Sequence, residues 1–156
     1  MKKISDHISY REGNYSNTAK QLGIDNKPKA EHIKNMEILA EKVFEPLREW
    51  VGGPIKVNSF FRSKELNSRI GGALSSSHLS GQAIDITSMG NKTNLEMFHY
   101  IRKNLDFDQL ISEFPNVEDN PRWLHISFKN KKDNRKQTLV IKRKGIYKEY
   151  DGCDNC

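Results

Sequence analysis

Two cysteines, five prolines and the lack of any long apolar run remove several protein classes from consideration for this 156-residue chain. Nothing approaches the roughly 18 consecutive apolar residues that a membrane helix needs, so membrane insertion is not expected. The basic start, Met1-Lys2-Lys3-Ile4-Ser5-Asp6-His7, leads into no apolar segment, and a secretory signal is not expected either. Cys153 and Cys156 form a single Cys-x-x-Cys in the last four residues. One such pair builds no disulfide framework and completes no four-cysteine zinc site. Only 35% of the residues are hydrophobic and 29% are charged, yet 7 Phe, 5 Tyr and 2 Trp are too many aromatics for a disordered tail.

Charge is unbalanced. Lys and Arg total 26 against 20 Asp and Glu, a formal net of +6, which favours anionic partners such as nucleic acid, anionic lipid or an acidic wall polymer. Part of the excess lies in Lys129-Asn130-Lys131-Lys132-Asp133-Asn134-Arg135-Lys136 and in Lys142-Arg143-Lys144. These runs read as a solvated hairpin and its flank. No helix-turn-helix, RNP or zinc-finger spacing is present, so nucleic acid is not an expected partner.

No repeat or low-complexity linker divides the chain. The expected organisation is an irregular lead-in over 1–27 with at most one short helix, near Asn17–Leu22, one domain over 28–145, and a tail over 146–156. Pro28 is placed to open a helix. From there Ile33, Met36, Ala40, Val43, Leu47 and Trp50 recur every three or four positions, predicting a long amphipathic helix that ends at Gly52-Gly53-Pro54. A strand is predicted over Ile55–Phe61, a short helix capped by Ser63 through Ile70, a strand over Gln82–Ile86 and a second amphipathic helix from Thr93 to about Leu105. Strands follow near Phe107–Phe114, Arg122–Phe128 and Thr138–Arg143, the last two joined by the basic turn. The expected class is α+β, a small antiparallel sheet packed against helices.

Two of the five histidines have a setting suited to a metal. In a strand over 82–86, alternation sends Ile84 and Ile86 to the core and places Ala83 and Asp85 on the opposite face. Asp85 is a carboxylate among apolar neighbours, an expensive placement unless a cation or a hydrogen-bond partner satisfies it. Gly81 lets the chain turn so that His78 reaches back towards Asp85. A metal pocket answers this pattern, and so does an ordinary structural Asp beside a His. In Arg122-Trp123-Leu124-His125-Ile126-Ser127-Phe128 the same alternation buries Leu124, Ile126 and Phe128 and puts His125 on the other face. Two imidazoles and one carboxylate suit a catalytic Zn2+, which can bring a water's pKa from 15.7 towards ~7 and polarise a carbonyl.

Taken together, Ser59-Phe60-Phe61-Arg62-Ser63, Glu65-Leu66-Asn67, Gly71-Gly72, Ser77-His78-x-x-Gly81-x-Ala83-x-Asp85 and Trp123-x-His125-x-Ser127 resemble the zinc D-Ala-D-Ala carboxypeptidase family. That group includes phage endolysins that cut cell-wall peptides, with the hedgehog signalling domain as a structural relative. The match is to a small stand-alone branch, in which a stretch like Ser16-x-Thr18-Ala19…Gly23-x-Asp25-Asn26-x-Pro28 precedes the long helix. The resemblance covers about residues 7–128. It implies a hedgehog/DD-peptidase-like fold, with His78, Asp85 and His125 as zinc ligands and Arg62 as the arginine that binds the substrate carboxylate or polarises the scissile carbonyl. Ser77 and Gln82 flank the metal loop and are candidates for contact with substrate.

Several family members carry an acid or a His three residues before the last ligand. Arg122 stands there in this chain, so the general base must come from elsewhere. Glu113, closing a strand expected to lie beside that of His125, is the first candidate, with Glu118 and Asp119 behind it. The expected activity is that of a zinc peptidase acting on peptidoglycan peptides as a D,D- or L,D-carboxypeptidase or endopeptidase. The expected protein is a monomer, bacterial or phage-encoded, made in the cytoplasm and acting on the wall. The competing expectation is a hedgehog-like module in which zinc is structural and the site binds without turnover.

Overall fold

The computed structural model describes residues 2–152; Cys153 and Cys156 lie outside them. The first 27 residues hold more regular structure than the expected lead-in. Strands β1 (Lys3–Ser5) and β2 (Ile8–Ser9) form a hairpin, followed by helices α1 (Tyr10–Asn14) and α2 (Asn17–Leu22). Ser9 and Glu12 close a reciprocal cap on α1, Ser16 caps α2, and Gly23 ends α2 at φ 66°. Ile4 and Ile8 join the main core, so this segment belongs to the same packed unit.

The long amphipathic segment is present with a defect inside it. Helix α3 (Ala30–Leu39) begins two residues after Pro28, runs into a wider π turn over Ala40–Phe44 and continues as α4 (Glu45–Val51). Pro46 stands at the start of α4. It has no N–H for the carbonyl one turn back, and its ring would crowd that carbonyl in a regular helix; the wider turn relieves this. The apolar stripe survives, with Met36, Leu39, Val43, Leu47 and Val51 buried. Gly52, at φ 70°, ends the segment.

Strands β3 (Ile55–Ser59), β4 (Ala83–Ser88), β5 (Gln109–Glu113), β6 (Trp123–Ser127), β7 (Gln137–Arg143) and β8 (Ile146–Glu149) form one sheet in the order β3-β4-β6-β5-β7-β8. Helices α5 (Lys64–Arg69) and α6 (Asn94–Asn104) have the caps read from the sequence, Ser63 and Thr93. Met97, Phe98 and Ile101 of α6 share a core with the α3–α4 stripe and with Ile84, Ile86, Leu110, Leu124 and Ile126 of the sheet. Each such side chain, fully buried, is worth about 1.5–3 kcal/mol.

Two expectations about the sheet need correction. The β5–β7 pair is parallel, from Gln109↔Gln137 to Glu113↔Ile141, so the sheet is mixed. Strands β6 and β7 are therefore no hairpin, because β5 lies between them. Asp108, fully buried, holds the crossing: it accepts from the Arg135 backbone N–H at 3.0 Å and from Arg135 Nε and Nη2, both at 2.9 Å. With Lys136 N to Phe107 O and Gln137 N to Asp108 O, these bonds carry the basic turn across to β5. The expected tail also holds a strand, since β8 pairs antiparallel with β7.

Candidate metal centre

The sheet face turned away from α6 carries the site. Asp85 on β4 and His125 on β6 are direct cross-strand partners, and Ile111 on β5 continues the row. His78 comes from a separate element, a 3-10 turn over Ser77–Ser80 that Ser76 caps through its Oγ. Gly81 ends that turn at φ 77°, and a Cβ there would stand 2.6 Å from the His32 carbonyl oxygen and 2.8 Å from Met36 Cγ. Only glycine fits both the conformation and the close approach to α3. Arg62 N donates to His78 O at 3.1 Å, tying the turn to the end of β3.

The three side chains converge. His125 Nδ1 lies 2.9 Å from Asp85 Oδ1 and His78 Nε2 lies 3.3 Å from Asp85 Oδ2. One ligand atom from each of the three residues can be chosen so that all lie within 4.8 Å of one another. His78 Nδ1 lies 2.6 Å from the Phe60 carbonyl oxygen, an acceptor only, so Nδ1 carries the proton and Nε2 presents its lone pair. Burial holds the His78 imidazole below its ordinary pKa, against the opposing pull of Asp85. Burial pushes Asp85 up, but the neighbouring His78 and His125 imidazoles, the latter hydrogen-bonded to it, outweigh this and hold the carboxyl well below its usual range.

A buried imidazole lone pair thus faces a buried carboxylate oxygen, and His78 Nε2 has no hydrogen-bond partner. Two acceptors so placed are satisfied by a cation between them. Two imidazole nitrogens and one carboxylate oxygen are the donor set of a divalent transition metal.

With the site in view, the comparison with known families is direct: residues 6–127 match the family described as Peptidase M15. The chain belongs to the M15 peptidase family. M15 peptidases are metal-dependent, so the protein is a metallopeptidase with a peptide-type substrate. The comparison with curated proteins returns no significant match.

Around the cluster of this M15 peptidase, Arg62 donates through Nη2 to Asp85 Oδ2 at 3.1 Å, through Nε to Ser59 Oγ at 3.0 Å and through Nη1 to Asn67 Oδ1 at 3.3 Å. Asn67, unremarked in the sequence beyond its place in the motif, is the brace for this guanidinium. It is buried, its amide donates to Ala73 O at 2.8 Å, and a Cβ at Gly72 would overlap its oxygen. Buried Asn26 links the N-terminal segment to the same place. Its amide donates to Asn14 O and Phe61 O, and its oxygen accepts from Ser63 N at 2.6 Å.

Glu113 ends β5, opposite Trp123 and one row along from His125. Burial raises its pKa to about 7, with Asp85 adding to the rise and His125 and Arg62 opposing it. Arg122 is exposed and donates its backbone N–H to Glu113 O. Glu118 and Asp119 are exposed and line a cavity of about 620 Å³ together with Leu95 and Phe98 of α6 and Val140, away from the His–Asp–His cluster. Ser77 and Gln82 brace the His78 turn: Gln82 N donates to Ser77 O at 2.9 Å, and the Gln82 amide oxygen accepts from Ser80 Oγ at 2.7 Å. No sequence signal points to Tyr147, which alternation on β8 places on the metal face, because 146–156 reads as a tail. Among the described residues no helix is long and apolar enough to cross a membrane.

Proposed function

We propose that this M15 peptidase hydrolyses peptide bonds of peptidoglycan, as a D,D- or L,D-carboxypeptidase or endopeptidase, with zinc held by His78, Asp85 and His125. One observation carries the reading: the unpartnered Nε2 of buried His78 lies 3.3 Å from an oxygen of ionised Asp85, an arrangement suited to a bound cation. Zinc bound there would supply Lewis acidity, making a water nucleophilic near neutral pH and stabilising the developing oxyanion.

The chain's own groups take the remaining roles. Glu113, poised near neutrality by burial, accepts the proton of the attacking water and passes it to the leaving amine. Arg62 uses three of its five N–H donors on Ser59, Asn67 and Asp85. The other two point a fixed positive group at a substrate carboxylate or the scissile carbonyl. Ser77 and Gln82 keep His78 in place and, flanking the metal loop, are the candidates for contact with substrate. The wall peptide is favoured by the resemblance of the motif set and is compatible with the +6 charge, which aids approach to an anionic polymer. The protein would then act outside the cytoplasm that makes it.

The test is digestion of purified muropeptides by zinc-loaded and by chelated protein, with mass spectrometry of the products. Loss of one residue, or a split stem peptide, only with zinc supports the reading. Intact muropeptides in both samples overturn it and leave a zinc-stabilised binding module.

A further inference from the structure

Strand β8 brings an unassigned side chain to the reaction face. Register pairs Glu113 with Ile141 and Ile141 with Tyr147, and directly paired residues of a sheet share a face. Tyr147 therefore stands on the Glu113 side, two strands over, roughly 10 Å away at the backbone. The intervening Ile141 is buried in a small apolar cluster with Ile111 and Leu139, against which Phe114 packs. Phe114 in turn lies 5.4 Å, centroid to centroid, from Trp123. Tyr147 itself is 55% exposed, so its phenol is open to an incoming ligand. The negative charges of Glu113 and Asp85 reach it: burial first, then these two carboxylates, raise its pKa and keep it a protonated donor.

The sheet order supplies the second observation. Across this face the groups run from Arg62 beyond β3, through Asp85 on β4, His125 on β6 and Glu113 on β5, to Tyr147 on β8. The acidic and metal-ligating groups are thus flanked by one donor from each edge of the sheet. The β7–β8 turn also reaches the opposite wall, since Lys144 Nζ lies 3.6 Å from where a Cβ on Gly71 would stand. Gly71 is next to Gly72, which packs on the Asn67 brace of Arg62.

We infer that Tyr147 is a substrate-contacting residue of this peptidase, its hydroxyl donating a hydrogen bond to a carbonyl oxygen of the bound peptide on the side of the cleft opposite Arg62. The inference rests on the peptidase reading above. A phenol suits the task because it donates without adding a charge next to Glu113, and an exposed edge position costs little when no peptide is bound.

The test compares Tyr147→Phe with the wild type on a soluble peptide ending in D-Ala-D-Ala and on muropeptides, and measures peptide affinity by calorimetry in the non-hydrolysing Glu113→Gln background. Losing one hydrogen bond to substrate lowers kcat/KM and affinity by roughly tenfold, with zinc content and melting temperature unchanged, because the ring remains. Tyr147→Phe within about twofold of wild type in both measurements overturns the assignment while leaving the peptidase intact. A wild type that cuts no wall peptide overturns the peptidase reading itself and the inference with it.

Discussion

Asp85 and His125 face each other across β4 and β6, Oδ1 to Nδ1 at 2.9 Å, while the second oxygen of the same carboxylate lies 3.3 Å from His78 Nε2 and 3.1 Å from Arg62 Nη2. One carboxylate thus aligns both imidazoles and anchors the arginine. Asp85→Asn keeps the shape but removes the charge. Zinc affinity should fall by at least ~100-fold, read by competition with a chromogenic chelator. Affinity equal to that of wild type would show that Asp85 is no ligand.

With Glu113 as the proposed base, its carboxyl sets the expected pH dependence. In the metal-free protein burial pushes its carboxyl up to about 7, and only the ionised form accepts a proton. The kcat/KM of the zinc-loaded enzyme should therefore rise with pH, with a midpoint at or below that value, since a bound cation favours the carboxylate. Glu113→Gln should cost roughly 10²–10⁴-fold in kcat with zinc retained; an unchanged rate removes Glu113 as the base. Stability follows the same proton. The folded pKa lies above the ordinary 4.5, so the folded state holds the proton more tightly and stability declines as pH rises from 4.5 to about 7. Metal-free Glu113→Gln should escape that decline, and its melting temperature should gain on wild type between pH 5 and pH 8.

Gly72 matters through a contact. A Cβ there would overlap the Asn67 oxygen that accepts from Arg62 Nη1. Gly72→Ala should displace Asn67 and loosen the guanidinium, lowering kcat/KM about tenfold or more while destabilising the fold by roughly 1–3 kcal/mol. Steady-state kinetics beside thermal melts check this; full activity would show that Arg62 needs no brace.

Asp108 anchors the crossing to β7. The hydrogen bond from Arg135, more than burial can oppose, holds its carboxyl below the ordinary range. A lowered folded pKa contributes stability above the unfolded value near 3.8 that is lost as pH falls through the folded one. Arg135 is half-exposed, so solvent screens the charge and the hydrogen bonds supply most of the effect. Asp108→Asn should cost about 1–3 kcal/mol at neutral pH and flatten the acid side of the stability curve, both read by denaturant melts from pH 3 to pH 7.

The convergence of His78, Asp85 and His125 is legible in the sequence because it follows strand alternation: Asp85 and His125 each interrupt an apolar run on the face opposite the core. Glu113 was legible for the same reason, as the end of a strand placed next to that of His125. What escaped depends on partners far away in the chain. The parallel β5–β7 pair is fastened at its start by the Asp108–Arg135 bonds, which no local pattern announces. Strand β8 is four exposed residues, too short and too polar to register as β, and Tyr147 is hidden with it. The π turn at Ala40–Phe44 leaves the buried stripe unbroken, so periodicity runs straight through it; Pro46 was the only mark.

In the proposed function His78, Asp85 and His125 share one divalent ion. Native mass spectrometry of the wild type and of His78→Ala, Asp85→Ala and His125→Ala, each folded by circular dichroism and loaded with zinc, tests this directly. One zinc on the wild type and none on any of the three variants is the predicted result. A wild type that binds no zinc, or variants that all keep it, would contradict the account.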